Sequence, residues 1–166
     1  MADGLTEIEI DKLHSLIPTV SQAFKKLSEY AVPQTLVQPD FHDNNTLINN
    51  ESEEITIIDL GEIVISHPFF SLINFLNQIK KHHGLTEQDT AYQNIKDACF
   101  KNFIKFESKE NILTVFELTK ILLPIYSALA HYRLIEACDK TQLESYYGSG
   151  KLDAELKNFM SFYKEN

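Results

Sequence analysis

The chain predicts an α+β domain that is mostly α, and three observations carry the prediction. Apolar residues recur at three- and four-residue steps ahead of Pro33 and again after Pro68, the period of a helix with one buried face. Between those prolines the period shortens, and short β-prone runs alternate with polar turns. A length of 166 residues, with 43% hydrophobic and 23% charged residues, fits one globular domain with a single sizeable core.

Thr6-x-x-Glu9 has the form of a capping box, so a helix opens there. Ile10, Leu13, Ile17, Val20, Phe24, Leu27 and Ala31 then share one face. Pro18 falls inside this pattern and predicts a kink or a split; Pro33 ends it, making residues 1–32 a helical lead-in. Thr35–Gln38, Asn45–Ile48 and Ile55–Asp59 are strand candidates within residues 33–66. The polar stretch 49–54 joins the last two as a hairpin. Residues 67–166 read as a helical subdomain, with segments of about Pro68–His83, Glu87–Phe106, Lys109–Cys138 and Leu152–Tyr163. Thr86-x-x-Asp89 is expected to cap the second segment, and Pro124 to bend the third.

Charge and composition exclude several classes. With 15 Lys and Arg against 24 Asp and Glu the net charge is −9, which argues against a nucleic-acid or anionic-membrane surface. The first 62 residues hold twelve carboxylates and three lysines, so they carry the whole net charge. Such a surplus suits a divalent cation or a solvated acidic face. The N-terminus lacks the basic and apolar regions of a signal peptide. The most apolar run, Ile121–Ala130, is shorter than the ~20 residues of a membrane span. A cytoplasmic protein is expected. Cys99 and Cys138 make neither a disulfide framework nor a zinc site, and read as buried reduced thiols.

The residues that carry chemistry gather in the β region. Residues 36–47 read Leu-Val-Gln-Pro-Asp40-Phe-His42-Asp-Asn-Asn45-Thr-Leu, and residues 57–62 read Ile-Ile-Asp59-Leu-Gly61-Glu62. Phosphoryl transfer from Mg·ATP needs one carboxylate to accept the proton of the attacking hydroxyl. It also needs an amide oxygen and a second carboxylate to hold the metal. A hairpin between the two stretches lets Asn45 and Asp59 converge although 14 residues apart. Singly, each has a blander use: Asp40 in a turn, Asn45 as a turn-to-strand cap, Asp59 as a strand-end cap.

In this order the motifs resemble the aminoglycoside phosphotransferase and choline-kinase-like enzymes, relatives of protein kinases. The family pattern His-Gly-Asp-x-His-x-x-x-Asn, a hairpin, then Ile-Asp-Trp-Gly stands here as Gln38-Pro39-Asp40-Phe41-His42-Asp43-Asn44-Asn45 and Ile58-Asp59-Leu60-Gly61. Ser66-His-Pro-Phe-Phe-Ser-Leu72 is similar to the segment that opens the family's next helix. The resemblance covers about Pro33–Asn74 and implies the C-terminal lobe of a protein-kinase-like fold, its hairpin carrying the catalytic and metal-binding loops. It implies that Asp40 is the catalytic base and that Asn45 and Asp59 bind Mg²⁺ and, through it, ATP. Gln38, His42 and Gly61 would scaffold the loops, and the acceptor would be a small-molecule hydroxyl. Tyr92, Tyr126 and Tyr132 suggest a cationic acceptor.

Four positions depart from the family: Gln38 replaces His, Pro39 replaces Gly, Leu60 stands where Trp is frequent, and Ser71 where Asp is. Upstream, a five-stranded phosphate-covering lobe needs at least about 55 residues, and only 39 precede Asp40. The chain is therefore expected to lack the N-terminal lobe and to be inactive alone. Its exposed apolar surface would meet that lobe or self-associate. The competing reading is a catalytically dead lobe kept as a binding or oligomerisation module.

Three other features read as structural. Gly148-Ser-Gly-Lys151 lacks the spacing and the Ser/Thr of a P-loop and reads as a turn. His82-His83 is expected at a helix C-terminus, its two rings on different faces. Phe100, Phe103, Phe106 and Phe116 fall at core spacing.

Overall fold

A computed structural model describes residues 4–138 and 150–163, and shows an α+β protein that is mostly helical. Gly148 and Ser149 of the expected turn lie outside the described residues. Two compact units form, one from Met1–Glu29 and Glu117–Asn166, the other from Tyr30–Phe116.

In the first unit, α1 (Glu7–Ser28) opens on the expected capping box: Thr6 N–H donates to Glu9 Oε2 at 2.8 Å, and Glu9 N–H to Thr6 Oγ1 at 3.3 Å. Pro18 does not split the helix. It removes one backbone donor, while the apolar face on either side keeps its register. Thr119, Leu122 and Ala128 of α4 (Lys109–Ala137), with Phe159 and Met160 of α5 (Lys151–Ser161), are buried. By length and composition alone α4 meets the test for a membrane span, with a mean hydropathy of 1.6 over 18 residues. That corrects the shorter apolar run read from sequence; 39% of the window is buried, and the core helix of a soluble protein passes the same test. Cys138, expected to be buried, is exposed just beyond the end of α4, whereas Cys99 is half-buried and burial pushes its thiol up.

The second unit holds the β structure, as one hairpin nested in another. β1 (Thr35–Val37) pairs antiparallel with β4 (Val64–Ser66), Leu36 opposite Ile65. Inside that ladder, β2 (Thr46–Ile48) pairs antiparallel with β3 (Ile55–Ile57), Ile48 opposite Ile55. The sequence reading lacked β4, although Ile63-Val64-Ile65 is the β-branched run that marks it. α2 (Phe69–His83) follows and ends at Gly84, whose left-handed backbone (φ 63°) suits glycine.

α3 (Thr90–Lys101) is shorter than expected. Beyond Phe100 the chain tightens into three-residue turns, with Phe103 N–H on Phe100 O and Phe106 N–H on Phe103 O. Nor does Thr86-x-x-Asp89 form a capping box inside the helix. The Thr86 N–H and hydroxyl both donate to Asp89, closing a turn before it. The core is aromatic: Phe69 stacks on Phe100 at 5.6 Å and meets Phe103 and Phe116 edge-on. Phe106 is 39% exposed, with Lys105 over its ring, and leaves the predicted core.

Candidate functional site

The nested ladders place two loops between them. Residues 38–45 connect β1 to β2, and residues 58–63 connect β3 to β4. Because β1 pairs with β4 and β2 with β3, the loops leave the outer ladder side by side and enter the inner one side by side. Ile58 N–H donates to Asn45 O at 3.0 Å, so Asp59 lies one residue past Asn45's partner.

Gln38 ties the loops directly. Its side chain is buried, and Nε2 donates to Ile58 O at 3.0 Å and to Asp59 O at 2.6 Å. Two carbonyls on one nitrogen fix which end of the amide is which, and Oε1 meets no partner among the described residues. Asp59 itself has a left-handed backbone (φ 58°), uncommon for a residue with a side chain and tolerated best by Asn and Asp.

The first loop is closed by its own polar groups. Asn45 Nδ2 donates to Asp40 O at 2.9 Å, which leaves Oδ1 as the end of the amide available to a cation. His42 Nε2 lies 3.3 Å from Asp40 Oδ2 and 3.4 Å from Asn45 Nδ2. Since Asn45 is satisfied by the Asp40 carbonyl, the consistent tautomer puts the proton on Nε2, facing the Asp40 carboxylate. The Asp40 side chain is 58% exposed and that of His42 14%, so an accessible carboxylate is held by a half-buried ring. Gly61 is a different matter. Its backbone is not left-handed and an added Cβ would meet nothing within 4 Å, so nothing in the described residues requires glycine there.

Helix α2 provides the floor, through Ser71, Asn74, Phe75 and His82, none of which the sequence reading gave a supporting role. Ser71 Oγ accepts from Gln38 N–H and donates to Gln38 O, both at 2.9 Å. Asn74 Nδ2 donates to Phe41 O at 3.4 Å, and Phe75 packs on the Phe41 ring at 5.3 Å. In the last turn of the helix, His82 Nδ1 is 3.1 Å from Asp43 Oδ1, and His83 Nε2 is 3.8 Å from Asp43 Oδ2. Both histidines therefore reach one carboxylate, against the expectation from their adjacency. Partial desolvation works to raise the Asp43 carboxyl, but the His82 hydrogen bond and charge, with the backbone N–H groups of Asp43 and Asn44, hold it below the usual range. Ser71, Asn74, Phe75 and His82 recur at helical spacing, and that periodicity was the available signal.

His67, beside this floor, is buried and its pKa is pushed down to about 4 by desolvation; its Nδ1 accepts from Phe69 N–H. Tyr92 is buried, with Lys80 and Lys96 over its ring at 5.5 and 5.9 Å, so its face is occupied and it is not a cation-binding wall.

Among the described residues no three His, Cys, Asp or Glu side chains converge as a metal site. Asn45 and Asp59 offer oxygens in the paired loops beside the carboxylates of Asp40, Asp43 and Glu62; Asp59 is exposed, and among the described residues it has no ion pair. Two hard oxygen donors are what Mg²⁺ takes when phosphates and water complete its octahedron. Comparison of the chain with protein-family models, with curated proteins and with solved structures finds no match.

Proposed function

We propose that the paired loops are the catalytic half of a small-molecule phosphotransferase of the aminoglycoside phosphotransferase type, passing the γ-phosphoryl group of ATP to a hydroxyl. The observation that carries this reading is the Gln38 bridge: the segment bearing Asp40 and Asn45 is tied to the backbone of Asp59. Asp40, exposed and oriented by His42, would accept the proton of the acceptor hydroxyl. Asn45 and Asp59 would hold Mg²⁺, which supplies charge neutralisation of the triphosphate when bound. Among the described residues, one helix and one three-residue strand precede Asp40, with no sheet to cover phosphates. Residues 1–166 alone are therefore proposed to lack turnover.

The test is calorimetry with Mg·ATP on residues 1–166, followed by an acceptor screen on the chain supplied with a nucleotide-binding lobe of this enzyme class, with and without Asp40→Asn. Activity that falls at least about a hundredfold in the variant supports the base assignment. Micromolar nucleotide affinity in the isolated chain would overturn the proposed need for a covering lobe.

Pro39 favours a second reading, a lobe that binds but does not catalyse. Its ring removes a backbone donor from the loop and fixes φ beside Asp40. The chain so supplied, inactive on every acceptor both as found and with Pro39→Gly, would select that reading.

A further inference from the structure

The nested hairpin shows an apolar surface with no partner. Leu36 and Ile65 face each other across the outer ladder and are 68% and 73% exposed. Ile48 and Ile55, partners across the inner ladder, are 63% and 66% exposed. Leu47, on the opposite face of that hairpin, is exposed as well. Cross-strand aliphatic pairs stabilise a sheet by packing against something, and a two-stranded ladder of three-residue strands is marginal without it. Isolated exposed aliphatics are ordinary, but matched pairs on both ladders are the mark of an interaction surface.

The charge around them restricts the occupant. Between Lys26 and Lys80 there is no Lys or Arg, and the β region carries seven carboxylates, at residues 40, 43, 51, 53, 54, 59 and 62. Two copies joined through this surface would bring two such acidic segments together, and like charges oppose that contact. Anionic lipid and nucleic acid are repelled for the same reason.

We propose that the outward surface of the nested hairpin docks a polypeptide whose contact face alternates aliphatic residues with Lys or Arg. The aliphatic side chains cover Leu36, Ile65, Ile48 and Ile55, and the cations meet the surrounding carboxylates. The exposed edges of the two-stranded ladders suit a partner that adds β structure. This inference does not depend on phosphoryl transfer, because a covering polypeptide serves a catalytic and a non-catalytic lobe alike.

The experiment uses the 166-residue chain and two synthetic peptides of equal length, one alternating Val with Lys and one alternating Val with Glu. Fluorescence anisotropy should show the Lys peptide binding at least about tenfold tighter, weakening as salt rises. Leu36→Ser with Ile65→Ser, and separately Ile48→Ser with Ile55→Ser, should each weaken it several-fold at unchanged net charge. All four positions are exposed, so both variants should retain the far-UV circular dichroism of the parent. Equal affinity for the two peptides would overturn the proposal. So would Lys-peptide binding that neither serine pair weakens, since that is attraction to an acidic chain alone. Sedimentation showing a dimer abolished by the Leu36→Ser, Ile65→Ser pair would overturn it in favour of a second copy.

Discussion

Gln38 and Asp59 are joined at 2.6 Å through side-chain amide and backbone carbonyl, and that contact locks together two loops twenty-one residues apart. Replacing Gln38 by Glu keeps the shape but turns a donor into an acceptor facing two carbonyl oxygens. At neutral pH, urea unfolding should show a loss of at least about 1–3 kcal/mol. Part of it should return as the pH falls and the new carboxyl gains a proton to donate. A Gln38→Glu protein as stable as the parent at pH 7 would mean that the bridge is not structural.

His67 sets an acid limit on stability. Its folded value of about 4 lies below the unfolded value near 6.5, so the unfolded chain binds more protons between them. The contribution is fully present above pH 6.5 and is lost as the pH falls toward 4, up to about 3 kcal/mol. His67→Gln should flatten the profile in that window. An unchanged slope would assign the acid sensitivity to other groups.

The contact between Asp43 and His82 should govern how firmly the first loop lies on α2. Asp43→Asn and His82→Gln are each expected to speed amide hydrogen exchange at Asn45 and Thr46. The double variant should exchange no faster than the quicker single one, because both remove the same contact. Additive effects would show that the two side chains act separately. Asp43 keeps its charge to lower pH in the folded chain, so the anchor should persist at neutral pH and fail as the carboxylate protonates in acid.

Asp59 and Gly61 should respond in opposite ways to what intuition assigns them. Asp59→Gly relaxes a left-handed backbone while removing the proposed metal ligand, so it should leave stability unchanged or raise it by up to about 1 kcal/mol. Asp59→Val should cost about 1–3 kcal/mol at the same place. Gly61→Ala, which meets open space, should alter stability by no more than about 0.5 kcal/mol. Thermal denaturation of the three variants checks the order.

What was legible in the sequence was whatever a local period or a local cap encodes. The Thr6–Glu9 box, the 49–54 turn and the period of α2 all act over a few residues, and all three appear. Strand β4 was not legible, because three residues leave little room for alternation and its partner β1 lies twenty-nine positions away. The candidate residues were visible as types in order, whereas their support was not. The Ser71–Gln38 pair and the two histidines on Asp43 are tertiary contacts, and helical spacing marks their α2 side without naming the loop residue each one meets. Pro18 shows the converse, a local breaker inside a helix that runs on past it.

The two thiols differ in a way that makes experiments on this chain simpler. Cys99 is half-buried with its thiol held protonated, and Cys138 is exposed just past α4. A maleimide at neutral pH should therefore modify Cys138 first and leave Cys99 largely untouched. One dye per molecule follows without mutagenesis, attached outside the Tyr30–Phe116 unit that holds both loops. Peptide docking and nucleotide titration can then be followed through the anisotropy of a single dye at Cys138.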